Sequence, residues 1–513
     1  MSPRVFIILA MVVVVSKIQA AAVLRGVVLS NELGGPPMGN IEVSALVGNT
    51  NNTDANGKFT FSFPNKKPGD TVRLIVRKEG YVVVNDIQLE WILPADPDER
   101  PLIILLCKEG DREEMARRFY KLKNLEAIDE TYKKKRQDVQ NASAAELAKL
   151  RQERDQAKAI DETYKKKLQD AQNASAAELA KLRQERDQAK ALDETYKKKL
   201  QDAQNASAAE LAKLRQKRDQ ATEATDKGAE GLAKQKPGVG SELYRTTARL
   251  FLDGKVDRAL VALSDEKLRE LSKAPKERKV EAEKTTEEAI RAWLLKGQLL
   301  TVQFRFDDAE KAYQGAIETS PESFEANFAF AWFSQQLNHY DKAMSAYGRC
   351  LELAKRNQDN GEIAMTLNNL AMLNGDQNRP EAARKGYEEG LKIYRDLAKN
   401  SPDTYPPDVA ITLNNLAILD RAQNRVEAAR KGFEEGLKIS RELAQKNPDT
   451  YLPDVARTVN NLAVLDGEQN RPEEARKGLE EALDIYERFG ERNPERFQSD
   501  VARVKRQLQM LSK

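Results

Sequence analysis

The chain has 513 residues, of which 32% are charged and 6% are aromatic. A single hydrophobic core stops growing at about 250–300 residues, so a chain of this length is expected to divide into roughly three or four domains. The 84 Lys and Arg residues nearly balance the 81 Asp and Glu residues, leaving a net charge of +3. This balance argues against a nucleic-acid partner.

Residues 1–20 have the pattern of a secretory signal peptide. Arg4 is followed by an apolar run of 11 residues from Val5 to Val15, and small residues stand at the end of the segment. The run is too short for a bilayer-spanning helix, which needs about 20 apolar residues. We therefore expect cleavage near Ala20 or Ala22 and a secreted or periplasmic protein, with an uncleaved anchor as the alternative.

Only two cysteines occur, Cys107 and Cys350, and they fall in parts of the chain with different sequence patterns. A disulfide framework needs several cysteines within one small domain. Both residues are therefore expected to be buried and to behave as small apolar side chains.

Residues 22–107 show short apolar runs with a period of two, separated by turns rich in Gly, Asn and Pro. This pattern is typical of a small antiparallel β-sandwich. In the turn before Lys58, Gly57 supplies the positive φ that the chain needs to enter the next strand. The predicted strands are Ala22–Leu29, Ile41–Val47, Lys58–Phe63, Thr71–Lys78, Val82–Leu89 and Leu102–Cys107.

Four short motifs in this segment resemble the carboxypeptidase regulatory-like family, which has a transthyretin-like sandwich. They are Leu24-Arg25-Gly26-Val27-Val28, Gly39-Asn40-Ile41-Glu42-Val43, Thr53-Asp54-Ala55-Asn56-Gly57-Lys58-Phe59-Thr60-Phe61 and Lys78-Glu79-Gly80-Tyr81. The resemblance implies an accessory module that has no peptidase activity of its own.

Residues 111–236 contain a repeat of 32 residues, with copies that start at Ala127, Ala159 and Ala191. Proline is absent between Asp111 and Gln235, which favours helix. The predicted apolar stripe averages a spacing of about 3.56 residues, between a coiled coil and a straight helix. A weak coiled coil and a lone charge-stabilised helix both remain open. The stripe consists of Ile160, Tyr164, Leu168, Ala171, Ser175, Leu179, Leu182, Arg186, Ala189 and Leu192.

This predicted stalk has two interpretations. Ser175 and Glu178 match a helix-capping box, and breaks there and at Ser143 and Ser207 would give shorter antiparallel helices. Because no Gly or Pro accompanies these positions, we favour one continuous helix of up to roughly 180 Å. Such a stalk could also self-associate.

Residues 241–513 form a second repeat array, in which Thr-(Leu/Val)-Asn-Asn-Leu-Ala recurs every 46 residues from Thr366. The units resemble tetratricopeptide repeats, especially the elongated kind of kinesin light chains. The signature is clearest at Trp293, Gly297, Ala309, Tyr313, Ala316 and Pro321. We predict about six helix pairs and a capping helix over 499–511, so that the fold is multidomain: a small all-β sandwich, a long helical stalk and an all-α superhelical solenoid.

The resemblance implies that the first helix of each pair lines a concave groove where a protein or peptide binds. Asn368, Asn414 and Asn460 are predicted on the inner face, with Asn369, Asn415 and Asn461 beside them. Carboxamides can hydrogen-bond the backbone of an extended peptide. Met372, Ile418 and Val464 would add apolar contact, and Arg421 would attract an acidic group. In the alternative interpretation, one Asn of each pair ties neighbouring helices together.

Nothing in the sequence indicates an enzyme. His339 is the only histidine, so a multi-histidine metal site is impossible, and it falls in a predicted turn. No phosphate-binding, dinucleotide-binding or nucleophile-elbow motif occurs. We therefore expect a non-catalytic interaction scaffold with no cofactor, metal, nucleic acid or small-molecule substrate. The alternative is a structural component of an extracytoplasmic or cell-envelope assembly, built by self-association of the stalk.

Overall fold

The computed structural model describes residues 22–45, 50–98, 101–170, 176–225, 232–233, 241–273, 279–402, 404–492 and 494–511. The predicted signal peptide lies outside these ranges. Within them, no helix is both long and apolar enough to span a membrane. The chain forms two compact units, the first ending at Ala312 and the second beginning at Tyr313.

Two four-stranded sheets form the N-terminal part of the first unit. One sheet has the strand order β4-β1-β8-β6 and the other has β3-β2-β5-β7. Alternate residues of β4 are buried and exposed, as the period-two pattern predicts. The buried side chains of both sheets meet in one core. The strands are β1 Ala22–Ser30, β2 Glu42–Ala45, β3 Thr50–Asn52, β4 Lys58–Phe63, β5 Thr71–Arg77, β6 Tyr81–Val83, β7 Glu90–Ile92 and β8 Leu102–Lys108.

The sandwich has two short strands, β3 and β7, that were not predicted, and it differs from the prediction in two further respects. Strands β1 and β8 are parallel, pairing Gly26 with Leu102, so the sandwich is not wholly antiparallel. The predicted strand Val82–Leu89 is wrong in its second half, because Asp86–Leu89 is a 3-10 helix. The Asn85 side chain explains this change, since its Nδ2 donates to the Ile103 carbonyl at 2.7 Å and its Oδ1 accepts from Leu105 N at 2.8 Å. These bonds link the end of β6 to β8 through a side chain instead of a backbone ladder.

The two cysteines are free and buried, as the sequence predicted. Cys107 lies on β8 in the first unit, and Cys350 lies in a helix of the second unit. Burial, with a smaller contribution from the Asp111 charge, raises the pKa of the Cys107 thiol to about 11. Burial, with a smaller contribution from Glu362, raises the pKa of the Cys350 thiol to about 12. Both thiols are therefore protonated near neutral pH.

This protonation makes a prediction about reactivity. Only the thiolate attacks alkylating and disulfide reagents, so a raised pKa and complete burial both slow the reaction. We expect a chromogenic disulfide reagent at pH 8 to leave both cysteines unmodified in the folded protein and to modify both after urea unfolding. Rapid modification of either cysteine before unfolding would contradict the structure.

The predicted stalk is a hairpin of two long helices, α1 Arg112–Asp170 and α2 Ala176–Ala224, which pack against each other. The contacts run antiparallel: Asn124 contacts Thr225, Arg218 stacks over the Tyr132 ring, and Arg154 faces Asp193. The prediction of one continuous helix is therefore wrong. The folded-back alternative is correct only at the middle copy, because α1 and α2 pass through Ser143 and Ser207 without a break. Helical propensity cannot distinguish a single long helix from two that pack together.

The apolar stripe of the hairpin differs from the predicted one at two of its described positions. Ile160 and Leu192, both assigned to the buried face, are 44% and 41% exposed. Asp161 and Asp193 lie at the interface instead, where they meet Arg186 at 3.4 Å and Arg154 at 3.9 Å. Arg186 belongs to the predicted stripe. A pattern based on apolar residues missed Arg154, Asp161 and Asp193, because charged side chains at the helical spacing of three and four residues can also lie at a helix interface.

The base of the hairpin is fixed by buried polar contacts within the first unit. Asn124 is 1% exposed, accepts from Gln298 Nε2 at 2.6 Å and donates to the Thr225 carbonyl at 3.2 Å. Arg112 forms an ion pair of 3.0 Å with Asp86 of the sandwich. Arg249 donates to the Glu90 carbonyl at 3.1 Å. Sandwich, hairpin and the following helices therefore share one base, which the predicted division into separate domains did not anticipate.

The remaining helices fall where the predicted helix pairs place them, with one additional short helix, α5, after the first pair. Their bounds are α3 Glu242–Leu252, α4 Val256–Ala262, α5 Asp265–Lys273, α6 Lys279–Val302, α7 Phe306–Thr319, α8 Phe324–Gln336, α9 Tyr340–Asn357, α10 Asn360–Asp376, α11 Pro380–Asn400, α12 Pro406–Ala422, α13 Val426–Lys446, α14 Pro448–Glu468, α15 Pro472–Arg492 and α16 Pro494–Leu511. In the second unit, α8, α10, α12 and α14 are first helices of pairs, and α16 packs against α15 at the end.

Candidate peptide-binding surface on the first helices

The two helices of the pairs α10/α11, α12/α13 and α14/α15 cross at a glycine and an alanine. A Cβ placed on Gly432 of α13 would lie 3.0 Å from the Ala417 Cβ of α12, and the equivalent distance between Gly386 and Ala371 is also 3.0 Å. Small residues allow the helix backbones to approach closely. Phe433, which is fully buried beside this crossing, packs in a cluster with Leu465 of the next pair. Small residues thus set the crossing within a pair, and the aromatic ring packs against the next pair.

An asparagine in the left-handed conformation makes the turn inside each pair of the second unit. Asn378, Asn424 and Asn470 have φ values of 55°, 56° and 57°, and Asn338 has 60°. Asn tolerates this conformation better than other side-chain-bearing residues. The same turn therefore joins the first helix to the second in each of these four pairs.

A repeated ion pair joins successive pairs. Arg384 of α11 pairs with Asp420 of α12, and Arg430 of α13 pairs with Asp466 of α14 at 2.5 Å. The carboxylate side chains are 5% and 8% exposed. Burial raises the pKa of Asp466, while the charge and hydrogen bond of Arg430 act in the opposite direction. Each second helix is thereby fixed to the first helix that follows it.

The asparagine pairs are arranged differently from the prediction. Asn414 and Asn460, predicted on the inner face, are 2% and 5% exposed, while their neighbours Asn415 and Asn461 are half-buried. Asn461 Nδ2 donates to Asn414 Oδ1 at 3.1 Å, so this pair of amides ties α14 to α12. The assignment of Asn414 and Asn460 to a ligand-contacting surface is therefore wrong, since both are enclosed by protein.

The first pair of asparagines is also divided between burial and exposure. Asn369 is 6% exposed and donates to the Met365 carbonyl of its own helix at 2.8 Å, so it is not available to a ligand. Asn368 is half-buried, and its Oδ1 is enclosed without a hydrogen-bond partner. The interpretation in which asparagines tie neighbouring helices together thus applies to Asn414 and Asn461, whereas Asn369 bonds within its own helix.

The partly exposed residues of the first helices recur with a spacing of three and four residues, which places them on one face of each helix. Ile418 is 37% exposed, and Met372 and Val464, at the equivalent positions of α10 and α14, are half-buried. Arg421 lies beside this face, where it forms an ion pair of 3.5 Å with Glu468. We call this face the first-helix stripe: Met365, Met372, Ile411, Asn415, Ile418, Arg457, Asn461, Val464 and Glu468.

Sequence reasoning missed Met365, Ile411, Arg457 and Glu468 of this stripe. The first three follow from the 46-residue period, since they are equivalent positions seven residues before Met372, Ile418 and Val464. Counting back two helical turns from the predicted apolar positions would have found them.

Comparison with family models identifies the repeats. Tetratricopeptide repeat models match residues 324–357, 363–403 and 408–488. These segments are tetratricopeptide repeats. They cover the helices α8 to α15 that carry the crossings, the ion pairs and the first-helix stripe.

Solved structures of similar fold include BtubC (BKLC) from P. vanneervenii, which is 20% identical, with a TM-score of 0.38 over 49% of this chain and 93% of that chain. Pseudomonas aeruginosa pilF is 22% identical, with a TM-score of 0.30 over 44% of this chain and 93% of that chain. YrrB, described as a tetratricopeptide repeat protein with an unusual peptide-binding site, is 15% identical, with a TM-score of 0.27 over 41% of this chain and 93% of that chain. No curated protein matches the sequence.

Proposed function

We propose that the protein is a non-catalytic scaffold that binds an extended segment of a partner protein across the first helices α10, α12 and α14. The observation that carries this proposal is the first-helix stripe, where Asn415 and Ile418 lie one turn apart on the same partly exposed face. Tetratricopeptide repeats stack into extended surfaces of this kind, which supports a macromolecular ligand over a small molecule.

The stripe favours an apolar, weakly charged peptide. Ile418, Met372 and Val464 offer apolar contact, and the amides of Asn415 and Asn461 can bond a peptide backbone without selecting its sequence. Arg421 was predicted to attract an acidic group. Its charge is already balanced by Glu468, so we do not include it in ligand selection.

Substitution of the stripe tests the proposal. The full-length protein is used to capture partners, and the same capture is repeated with Ile418→Asp combined with Asn415→Ala. A charge at an apolar contact and the loss of one hydrogen-bonding amide together should weaken binding by at least about tenfold. The bound fraction of each partner is measured by quantitative mass spectrometry.

Lys438→Ala is the matched control, because Lys438 is exposed on the second helix α13, away from the stripe. It should capture the same partners in the same amounts as the wild type. If the Ile418 and Asn415 variant also captures them undiminished, the ligand does not bind at the stripe.

We further propose that the sandwich is a carboxypeptidase regulatory-like accessory module and that the protein acts outside the cytoplasm. The four sequence motifs between Leu24 and Tyr81 support the first statement, and the signal-peptide pattern of residues 1–20 supports the second. N-terminal sequencing of the exported protein would test the location, with Ala21 or Val23 expected as the first residue.

A further inference from the structure

One segment of the hairpin occurs twice and packs against its own copy. Residues 151–170 and 183–202 are identical except that Ile160 is replaced by Leu192. The first copy lies on α1 and the second on α2, and the two helices are antiparallel. We call these 20 residues the duplicated segment.

The contacts between the copies are symmetric. Arg154 lies 3.9 Å from Asp193, and Arg186 lies 3.4 Å from Asp161. Arg186 is the copy of Arg154, and Asp193 is the copy of Asp161, so exchanging the two copies reproduces both ion pairs. Ala157 and Ala189, which are also copies of each other, are 1% and 5% exposed between these ion pairs. The interface therefore has a local two-fold axis, as an isologous contact between identical partners has.

We propose that the duplicated segment binds the duplicated segment of a second copy of this chain, so that two hairpins open and exchange helices into a dimer. The residues at the interface do not distinguish a partner in the same chain from one in another chain, because the two would be chemically identical. Within the duplicated segment, the covalent connection of α1 to α2 is what favours the closed hairpin, and it does so as an effective concentration. High protein concentration therefore shifts the balance towards the dimer. The contacts of Asn124 at the base would have to be remade between the two chains.

The composition of this interface also makes opening easy. Arginine and aspartate occupy interface positions, and Arg154 and Arg186 keep side-chain exposures of 35% and 40%. The larger apolar residues Ile160 and Leu192 are outside the interface. Contact between the helices here rests on small residues and partly solvated ion pairs, which contribute little stability.

A charge-complementation experiment on the full-length protein tests this inference. The basic variant carries Asp161→Arg and Asp193→Arg, and the acidic variant carries Arg154→Asp and Arg186→Asp. Within either variant every ion pair becomes a repulsion of like charges, both inside one chain and between two identical chains. In a mixture of the two variants, every exchanged contact is again between opposite charges.

We expect each variant alone to have the monomer mass by light scattering and the 1:1 mixture to have twice that mass. The matched control, Arg154→Asp with Asp193→Arg in one chain, restores attraction inside the hairpin and should stay monomeric when mixed with the wild type. A mixture of basic and acidic variants that stays monomeric while both retain their helical circular dichroism would overturn the inference.

A second measurement applies if either variant loses its helices. Wild-type protein is heated and cooled at micromolar and at near-millimolar concentration, and its mass is then measured. A dimer formed only at the higher concentration is expected, whereas a monomer at both would refute exchange. Neither measurement depends on a ligand, so the outcome is separate from that of peptide binding at the first-helix stripe.

Discussion

Replacing Phe433 by alanine is expected to lower the free energy of local unfolding around α12 to α14 by about 3–5 kcal/mol. The ring is fully buried and packs in one cluster with Ala417, Ala429 and Leu465. Because Leu465 belongs to the next helix pair, the cavity would weaken the contact between pairs as well as the packing within one. In a repeat array each pair is stabilised mainly by its neighbours, so the loss should spread to α14 and α15.

Hydrogen exchange of the backbone amides in the full-length protein measures this effect. Protection should fall in α12 to α15, while the amides of the sandwich exchange as in the wild type. Lys438→Ala, an exposed change on the same helix as Phe433, should alter protection by no more than about 0.5 kcal/mol. Unchanged protection in Phe433→Ala would mean that the ring is not part of the core.

The second large effect is expected from Asp420→Ala, which should cost about 2 kcal/mol. The Asp420 side chain is 5% exposed, and Arg384, its partner, is 15% exposed. Removal of the carboxylate leaves the largely buried guanidinium with only the exposed Glu388 carboxylate at 3.4 Å and the Gln423 Oε1 at 3.2 Å. The joint between α11 and α12 should loosen, and hydrogen exchange in these two helices reports the change.

A double variant separates the ion pair from the packing. Arg384→Met combined with Asp420→Leu removes both charges and keeps most of the volume, so it should recover most of the lost stability. Arg430 and Asp466 form the equivalent pair one unit later, and Asp466→Ala should have an effect of similar size there. A double variant as unstable as Asp420→Ala alone would show that the buried guanidinium left without Asp420 is not the cause of the loss.

The repeat helices were predictable because their sequence pattern recurs. Ala371, Ala417 and Ala463 mark the crossings of the last three pairs, and the 46-residue period locates each of these pairs from any one of them. Strands β1 and β4 were predictable because apolar residues alternate with more exposed ones along each of them. The parallel pairing of β1 with β8 was not, because it joins segments 76 residues apart, as Gly26 to Leu102, and no local pattern encodes it.

The hairpin and the asparagines show where local reasoning fails. The prediction of one continuous helix rested on helix propensity. Propensity does not include the stabilisation that α1 and α2 gain by packing against each other. Adjacent asparagines such as Asn414 and Asn415 differ by about 100° around the helix, so their burial depends on the crossing angles. The 46-residue period places two adjacent asparagines at equivalent positions in each unit. The sequence could not decide which asparagine of each pair faces protein and which faces solvent.

The repeated ion pair has a consequence for changes in chain length. Arg384 precedes Asp420 by 36 positions, and Arg430 precedes Asp466 by the same number. Excision of one whole period of 46 residues between Arg384 and Asp466 would bring Asp466 to the place of Asp420, with the same charge opposite the same arginine. A chain that has gained or lost whole units would keep these ion pairs, whereas an insertion of one or two residues within α11 or α12 would rotate one partner of the buried pair away from the other.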